Sequence, residues 1–206
     1  MKQIELKYKW TSIFYDVLDY PWERLYRKWR KKLLSDMTGF VLELGVGTGR
    51  NFAYYNREAN VTGIDISKHM LEIAKKRATS SNMRIKLVHD DATTLNSQLD
   101  NSYDWVFSTF MFCVMDDELQ PEALEQIARV LKPGGKFRIL EMVYSKNTKL
   151  LRRQQLFSRF VEKVYGARFD RKTLNYINDN PNLELSRISY LKEDVYLLIE
   201  GSCKIA

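Results

Sequence analysis

Val41-Leu42-Glu43-Leu44-Gly45-Val46-Gly47-Thr48-Gly49-Arg50 is the stretch on which the fold turns. Phe40 to Leu44 is a short apolar run carrying one acid, the composition of a parallel strand buried on both faces. Three glycines at alternate positions end it. Gly45 and Gly47 accept φ > 0 and carry no Cβ, so the chain can turn sharply there and a ligand can reach the backbone. From Arg50 to Tyr55 the sequence can enter a helix, and free N–H groups at its start would point back at an anionic or polar ligand. A strand, a glycine turn and a helix start together predict a nucleotide-type site. The dinucleotide fingerprint needs its third glycine at position 50, where Arg50 stands, which argues against NAD.

Downstream, the α/β alternation continues. Asn60 to Ile64 predicts a second strand closed by Asp65, about as far from Gly45 as the ribose-binding acid of a βαβ nucleotide unit. A carboxylate there can accept both ribose hydroxyls, each bond worth roughly 1.5–3 kcal/mol. Ser67 is the expected N-cap of a helix over Lys68 to Ala78, with Leu71 and Ala74 turned inward and His69 on the surface. Arg84 to Val88 predicts a third strand that leads into His89-Asp90-Asp91-Ala92, where His89 reads as an oriented structural partner of the acids rather than a base. Tyr103 to Thr109 predicts a fourth strand, and its continuation Phe110 to Val114 should pass the reacting group, because ligands of open α/β sheets lie beyond the carboxyl ends of the strands.

Pro121 to Leu131 spaces Leu124, Ile127, Ala128 and Leu131 on one helical side, and Lys132-Pro133-Gly134-Gly135 is expected to stop that helix. Phe137 to Leu140 then starts a fifth strand, followed by Glu141. Residues 146 to 172 are strongly basic, and Phe157, Phe160 or Val161, and Val164 predict a helix with its apolar stripe against the domain. Leu183 to Leu191 and Val195 to Glu200 read as a terminal strand pair. Before the first strand, residues 11 to 34 read as two helices separated near Pro21. The first runs through Ile13, Phe14, Val17 and Leu18; the second mixes Trp22, Tyr26 and Trp29 with arginines and lysines. That second helix is either an interfacial helix on anionic lipid or a packed helix with a solvated basic face.

The chain of 206 residues suffices for one α/β domain and not two. A formal net charge of +7 makes a polyanion, an anionic membrane surface or an acidic substrate the expected partners. Cys113 and Cys203 show no metal-ligand spacing, which predicts a reduced, cytoplasmic protein without a metal. The charged start, Met1 to Lys9, does not look like a signal peptide, and no apolar run approaches the ~20 residues of a membrane span.

The Glu43-Leu44-Gly45-x-Gly47-Thr48-Gly49 turn, Gly63-x-Asp65-x-Ser67, and the Leu131-Lys132-Pro133-Gly134-Gly135-x-Phe137-x-Ile139-x-Glu141 run together resemble the class I S-adenosylmethionine (SAM) methyltransferases over residues 38 to 142. The local likeness is greatest to the quinone-biosynthesis and phospholipid N-methyltransferase branch, which shares a Tyr-Asp pair near the N-terminus, here Tyr15-Asp16. The resemblance implies a Rossmann-like, mostly parallel seven-stranded sheet with an antiparallel last strand and helices on both faces. It divides a single domain, 1–206, into an N-terminal helical cover (1–37), a SAM-binding core (38–142), and a basic helix with the terminal strands (143–206). It also implies SAM as cofactor, held by Glu43, Gly45, Val46, Gly47 and Gly49 at the first turn and by Asp65, Ile66 and Met70 after the second strand. Asp91 with Ala92 would meet the adenine, and Thr109 and Tyr15 complete the implied contacts. Phe110 and Phe112 would shape the acceptor pocket.

Ser108-Thr109-Phe110-Met111 lacks the Asn/Asp-Pro-Pro-Tyr/Phe motif of enzymes that methylate base amines or glutamine amides. The implied acceptor is therefore a small molecule or lipid, such as a quinone precursor or a phospholipid amine, with peripheral membrane contact. A protein or RNA methyltransferase whose basic flanks grip the substrate, and a SAM-binding domain without turnover, are the alternatives.

Overall fold

The computed structural model describes residues 20–205, with side chains from Glu23 onward. The expected earlier helix through Ile13 and Leu18, and Tyr15, lie outside the described residues. Helix α1, Tyr20–Leu34, precedes strand β1, Gly39–Leu44. Then follow β2, Ala59–Asp65; α2, Lys68–Ser80; β3, Arg84–His89; and β4, Tyr103–Thr109. The second half contains α3, Gln120–Val130; β5, Leu131–Met142; α4, Thr148–Tyr165; α5, Thr173–Asp179; β6, Leu183–Tyr190; and β7, Tyr196–Cys203.

The seven strands form one sheet in the order β3-β2-β1-β4-β5-β7-β6. β1 pairs in parallel with both β2 and β4, and the chain order reverses across that pairing. β7 inserts antiparallel between β5 and β6, as the resemblance implied. Successive side chains point to opposite faces of a strand, so each central strand feeds two cores. Leu42, Leu44, Val106 and Ile139 pack with Leu124 and Ile127 of α3 and Ile177 of α5. Val41, Phe107 and Leu140 pack on the other side with Leu33 of α1 and Ala74 of α2. Helices therefore cover both faces, which is what strands apolar on both sides require.

Two local expectations change. Residues 50–55 do not enter an α-helix; Phe52–Tyr54 makes a single 3-10 turn. The rest of the connection from 45 to 58, which runs back along β1 so that β2 can start parallel to it, is turn and irregular chain. The helix over Pro121 ends at Val130 with extended Leu131, four residues short of Gly134. The glycine pair serves the strand instead. Leu131 pairs with Tyr103 and Lys136 with Trp105, so the intervening residues loop out, and Gly134 takes φ +75° in that irregularity. The helix expected in the basic segment 146–172 is α4, ended by Gly166 at φ +77°, and α5 follows beyond that segment.

The two flanks differ in how much of their apolar surface they bury. In α1, Tyr26, Trp29 and Leu33 are buried on the sheet while Arg24, Arg27 and Lys28 face solvent, so this is a packed helix and not an interfacial one. In α4 the expected inward stripe is only partly covered: Val161 and Val164 are half-buried, Phe157 and Phe160 are 57% and 58% exposed, and Leu156, outside that stripe, is 77% exposed.

Candidate active site

The carboxyl ends of β1, β2 and β4 open into a cavity of ≈ 810 Å³, within the roughly 300–1,000 Å³ usual for cofactor and substrate sites. It lies where the strand order reverses, the place expected of an open α/β sheet. Gly45, Val46, Gly47, Asp65, Ile66, Met70, Asp91, Ala92, Thr109 and Phe110 all line it. These are ten of the positions singled out in the sequence, brought together from four strand ends.

Asp65 organises the first corner. Its Oδ2 accepts the Gly47 N–H at 2.8 Å and its Oδ1 accepts the Ser67 N–H at 2.8 Å, which fixes the carboxyl plane between the glycine turn and α2. Burial raises its pKa, against the pull of the two N–H donors. Ser67 caps α2 as predicted, its hydroxyl accepting the Met70 N–H at 3.3 Å. Gly47 sits at φ +53° with open space where a Cβ would be, so a ligand can lie against its backbone.

Asp91 lines the next corner, with Oδ1 held by the N–H and hydroxyl of Thr93 at 2.9 and 2.8 Å. Asp90 is turned to its own loop, where it accepts from Asp91 N and from both the N–H and hydroxyl of Ser97. The exposed His89 bonds through its ring to Ile66 O at 2.9 Å and does not line the cavity. It is oriented by a backbone carbonyl rather than by the acids that the sequence suggested as its partners. His69 stands beside Glu72 on the surface of α2.

Three predicted residues are displaced from the cavity wall. Glu43 is buried beneath it, with Asn51 Nδ2 donating to one oxygen at 2.6 Å and the Tyr55 hydroxyl to the other at 2.9 Å. Burial raises its pKa to about 7, against the pull of those two donors. Its influence runs through Asn51, which lines the cavity, also reaches Thr109 Oγ1 at 3.2 Å, and accepts Arg30 Nε at 2.9 Å. Gly49, at φ +79°, makes room for the Phe52 ring rather than for a ligand. Phe112 points into the core, fully buried, because β4 ends in a reversal at Phe110, φ +56°, that turns the next side chains over. Cys113, Met111 and Val114 line the cavity in its place.

Of the opposite wall the sequence reading named only Phe110 as a pocket residue. Tyr26 and Trp29 of α1, Phe110, and Tyr196 of β7 form a contiguous aromatic cluster, with ring centroids 5.3 Å apart for Tyr26–Phe110 and 4.8 Å for Trp29–Tyr196. Phe157, Phe160, Val161 and Tyr165 of α4 close the far side. The aromatic spacing in α1 was the only hint; nothing local marks Tyr196 or Asn51. Behind this wall lies Glu141, buried, with Oε1 accepting Phe112 N at 3.1 Å and Oε2 without a hydrogen-bond partner among the described residues. Burial raises its pKa to about 8.

The arrangement fits SAM. An acceptor-only carboxylate at the second strand end suits a ribose diol, an open glycine backbone suits a close-lying polar tail, and apolar Ile66, Met70 and Ala92 suit a flat base. Residues 41–135 match the family model described as a methyltransferase domain. A demethylmenaquinone methyltransferase of Staphylococcus aureus (strain MRSA252) is 34% identical over 159 residues, covering 73% of this chain and 64% of that protein. The chain thus spans less than two thirds of that relative. Among solved structures, a SAM-dependent methyltransferase from Methanosarcina mazei superposes with a TM-score of 0.66 at 20% identity, over 85% of this chain and 97% of that one. The geranyl diphosphate C-methyltransferase of Streptomyces coelicolor A3(2), solved with S-adenosyl-L-homocysteine, gives 0.68 at 13% identity, over 88% and 81%. Residues 41–135 thus match a methyltransferase domain, in a chain whose fold superposes on those of solved methyltransferases.

Proposed function

We propose that the chain is a SAM-dependent methyltransferase acting on a small-molecule or lipid acceptor, of the quinone-precursor or phospholipid-amine kind. The observation that carries this reading is the Asp65 carboxylate, held between Gly47 and Ser67 at the lip of a cavity roomy enough for a cofactor and an acceptor together. Gly45, Val46, Gly47, Asp65, Ile66, Met70, Asp91 and Ala92 would hold SAM, with Thr109 beside them, in a core of residues 38–142 flanked by 1–37 and 143–206. When bound, SAM supplies an electrophilic methyl on a positively charged sulfur. The work of the chain is to bring the acceptor nucleophile in line at about 3–3.5 Å and to exclude water.

The aromatic wall of Tyr26, Trp29, Phe110 and Tyr196 supports that role. It is apolar, its rings lock one another, and Phe110 reaches it from the tip of β4. No histidine lines the cavity among the described residues. An amine or phenol acceptor, able to release its proton to solvent, suits such a wall.

The same reading puts the chain in the cytoplasm in peripheral contact with an anionic membrane. Its support is the net charge of +7 and two cysteines that form no disulfide. No helix among the described residues is long and apolar enough to cross a bilayer. The test has two parts. Calorimetric titration with SAM should show one saturable site, and radiolabelled methyl from SAM should appear in organic extracts of lipid and quinone. Label appearing only in RNA or protein would refute the acceptor class, and no binding of SAM would refute the whole reading.

A further inference from the structure

Helix α4 is capped at both ends by its own sequence. The Asn147 side chain accepts from Lys149 N and Leu150 N, and Gly166 takes the left-handed cap conformation. Only one residue along its eighteen, Gln154, is buried. Gln154 bolts the helix to the segment that leaves β5, accepting Ser145 N and donating to Val143 O. On the opposite side, Leu156 and Phe160 stand one helical turn apart and exposed, with Phe157 beside them. Burial alone would not leave three large apolar side chains in water on one rigid helix; such a patch marks an interaction surface.

The surroundings of the ridge identify what it meets. Lys149, Arg152, Arg153, Arg159 and Lys163 are exposed along the same helix, against the single acid Glu162. None of these five cations forms an ion pair with another described residue. A cationic face around a protruding apolar ridge matches an anionic lipid interface, where the ridge enters the acyl boundary and the charges meet headgroups. Phe157 and Phe160 belong to both surfaces, since they also line the cavity.

We propose that α4 docks on an anionic lipid bilayer through Leu156 and Phe160, which sets the mouth of the cavity beside Phe157 against the membrane. This rests on the acceptor being lipid-soluble, as in the function proposed above, but the docking itself is independent of SAM. Its test uses the full chain and sedimentation with vesicles of phosphatidylcholine alone or mixed with phosphatidylglycerol. The mixed vesicles should carry the protein down, high salt should release it, and neutral vesicles should leave it in solution. Leu156→Asp, and separately Arg152→Glu with Arg159→Glu, should each lower partition at least ~10-fold. Neither set lines the cavity, so SAM titration should be unchanged. Leu156→Trp should add a blue-shifted emission, over that of the wild-type tryptophans, only with the mixed vesicles.

Equal binding to both vesicle types, or unchanged partition in these variants, would overturn the proposal. So would self-association that Leu156→Asp abolishes, which would make the ridge a contact between copies. Tight RNA binding indifferent to Leu156→Asp, with no vesicle binding, would assign the cations to nucleic acid. A chain that binds SAM and no vesicles defeats only the docking. One that binds vesicles and no SAM defeats only the enzyme reading.

Discussion

The two ends of the cavity are built on different principles. At the glycine-turn end the wall is backbone and short polar side chains: Gly47 N–H to Asp65, Ser67 N–H to Asp65, Ser67 capping α2. At the α4 end it is large apolar side chains contributed by α1, the tip of β4, α4 and β7. The first end is made by residues close in sequence and held by hydrogen bonds. The second exists only where four distant segments meet. A ligand common to many proteins can be met by a contiguous, reusable motif, whereas the surface that chooses an acceptor is free to vary because no backbone turn depends on it.

Substitutions can break that contrast, and the largest effect is expected at the rigid end. Gly49→Ala places a methyl group on the Phe52 ring at a backbone angle that alanine disfavours. It should cost roughly 2–4 kcal/mol in urea unfolding. A loss under about 1 kcal/mol would show the turn to be as yielding as the exposed face of α4.

Behind the cavity wall, the next effect is one of pH. The Glu141 pKa rises from 4.5 to about 8 in the folded chain through burial. Unfolded molecules release that proton near 4.5 and folded ones keep it, so its contribution favours folding at low pH and declines as pH rises toward 8. Glu141→Gln retains an acceptor for Phe112 N and removes the decline. Relative to wild type, the variant should gain about 2–3 kcal/mol between about pH 6 and pH 8, at about 1.4 kcal/mol per unit. Parallel stability curves for the two proteins would mean that Glu141 ionises without hindrance. Glu43, raised to about 7, drives the same trend in both proteins and cancels in the difference.

Asp65→Ala tests the glycine-turn end for binding rather than stability. SAM affinity by calorimetry should fall at least ~10-fold, the loss of one or more charge-assisted bonds. Unchanged affinity would remove Asp65 from the ribose role. The smallest effect is predicted on α4: Leu156→Ser should shift unfolding in lipid-free buffer by less than about 0.5 kcal/mol, since the side chain is 77% exposed. A larger loss would mean that the ridge packs on something within the chain.

Strand by strand, periodicity and composition reproduced β4 to the residue and β1, β2 and β3 to within a residue or so, because buried parallel strands are near-continuous apolar runs with abrupt ends. The same reasoning placed Ser67 at its cap and Asp65 at the cavity lip. It failed where one local pattern serves two outcomes. The Pro-Gly-Gly of 133–135 reads as a helix stop but serves an irregular strand pairing, and the pairing partner, Tyr103, is remote in sequence. The apolar stripe of α4 reads as core because spacing reports a helix face and not what covers it.

Phe112 and Glu43 show the limit most sharply. Both lie in motifs that were correctly read, yet neither lines the cavity: a left-handed residue at Phe110 rotates the chain after β4, and Asn51 interposes itself above Glu43. The amino-acid sequence alone determined the alternating architecture, the glycine turn and the acid that faces it, since these follow from backbone conformation and near-neighbour hydrogen bonds. Only the tertiary structure decided the aromatic wall, the cover of Glu43 and the exposure of Leu156 and Phe160, because each depends on which distant surface excludes water from a side chain.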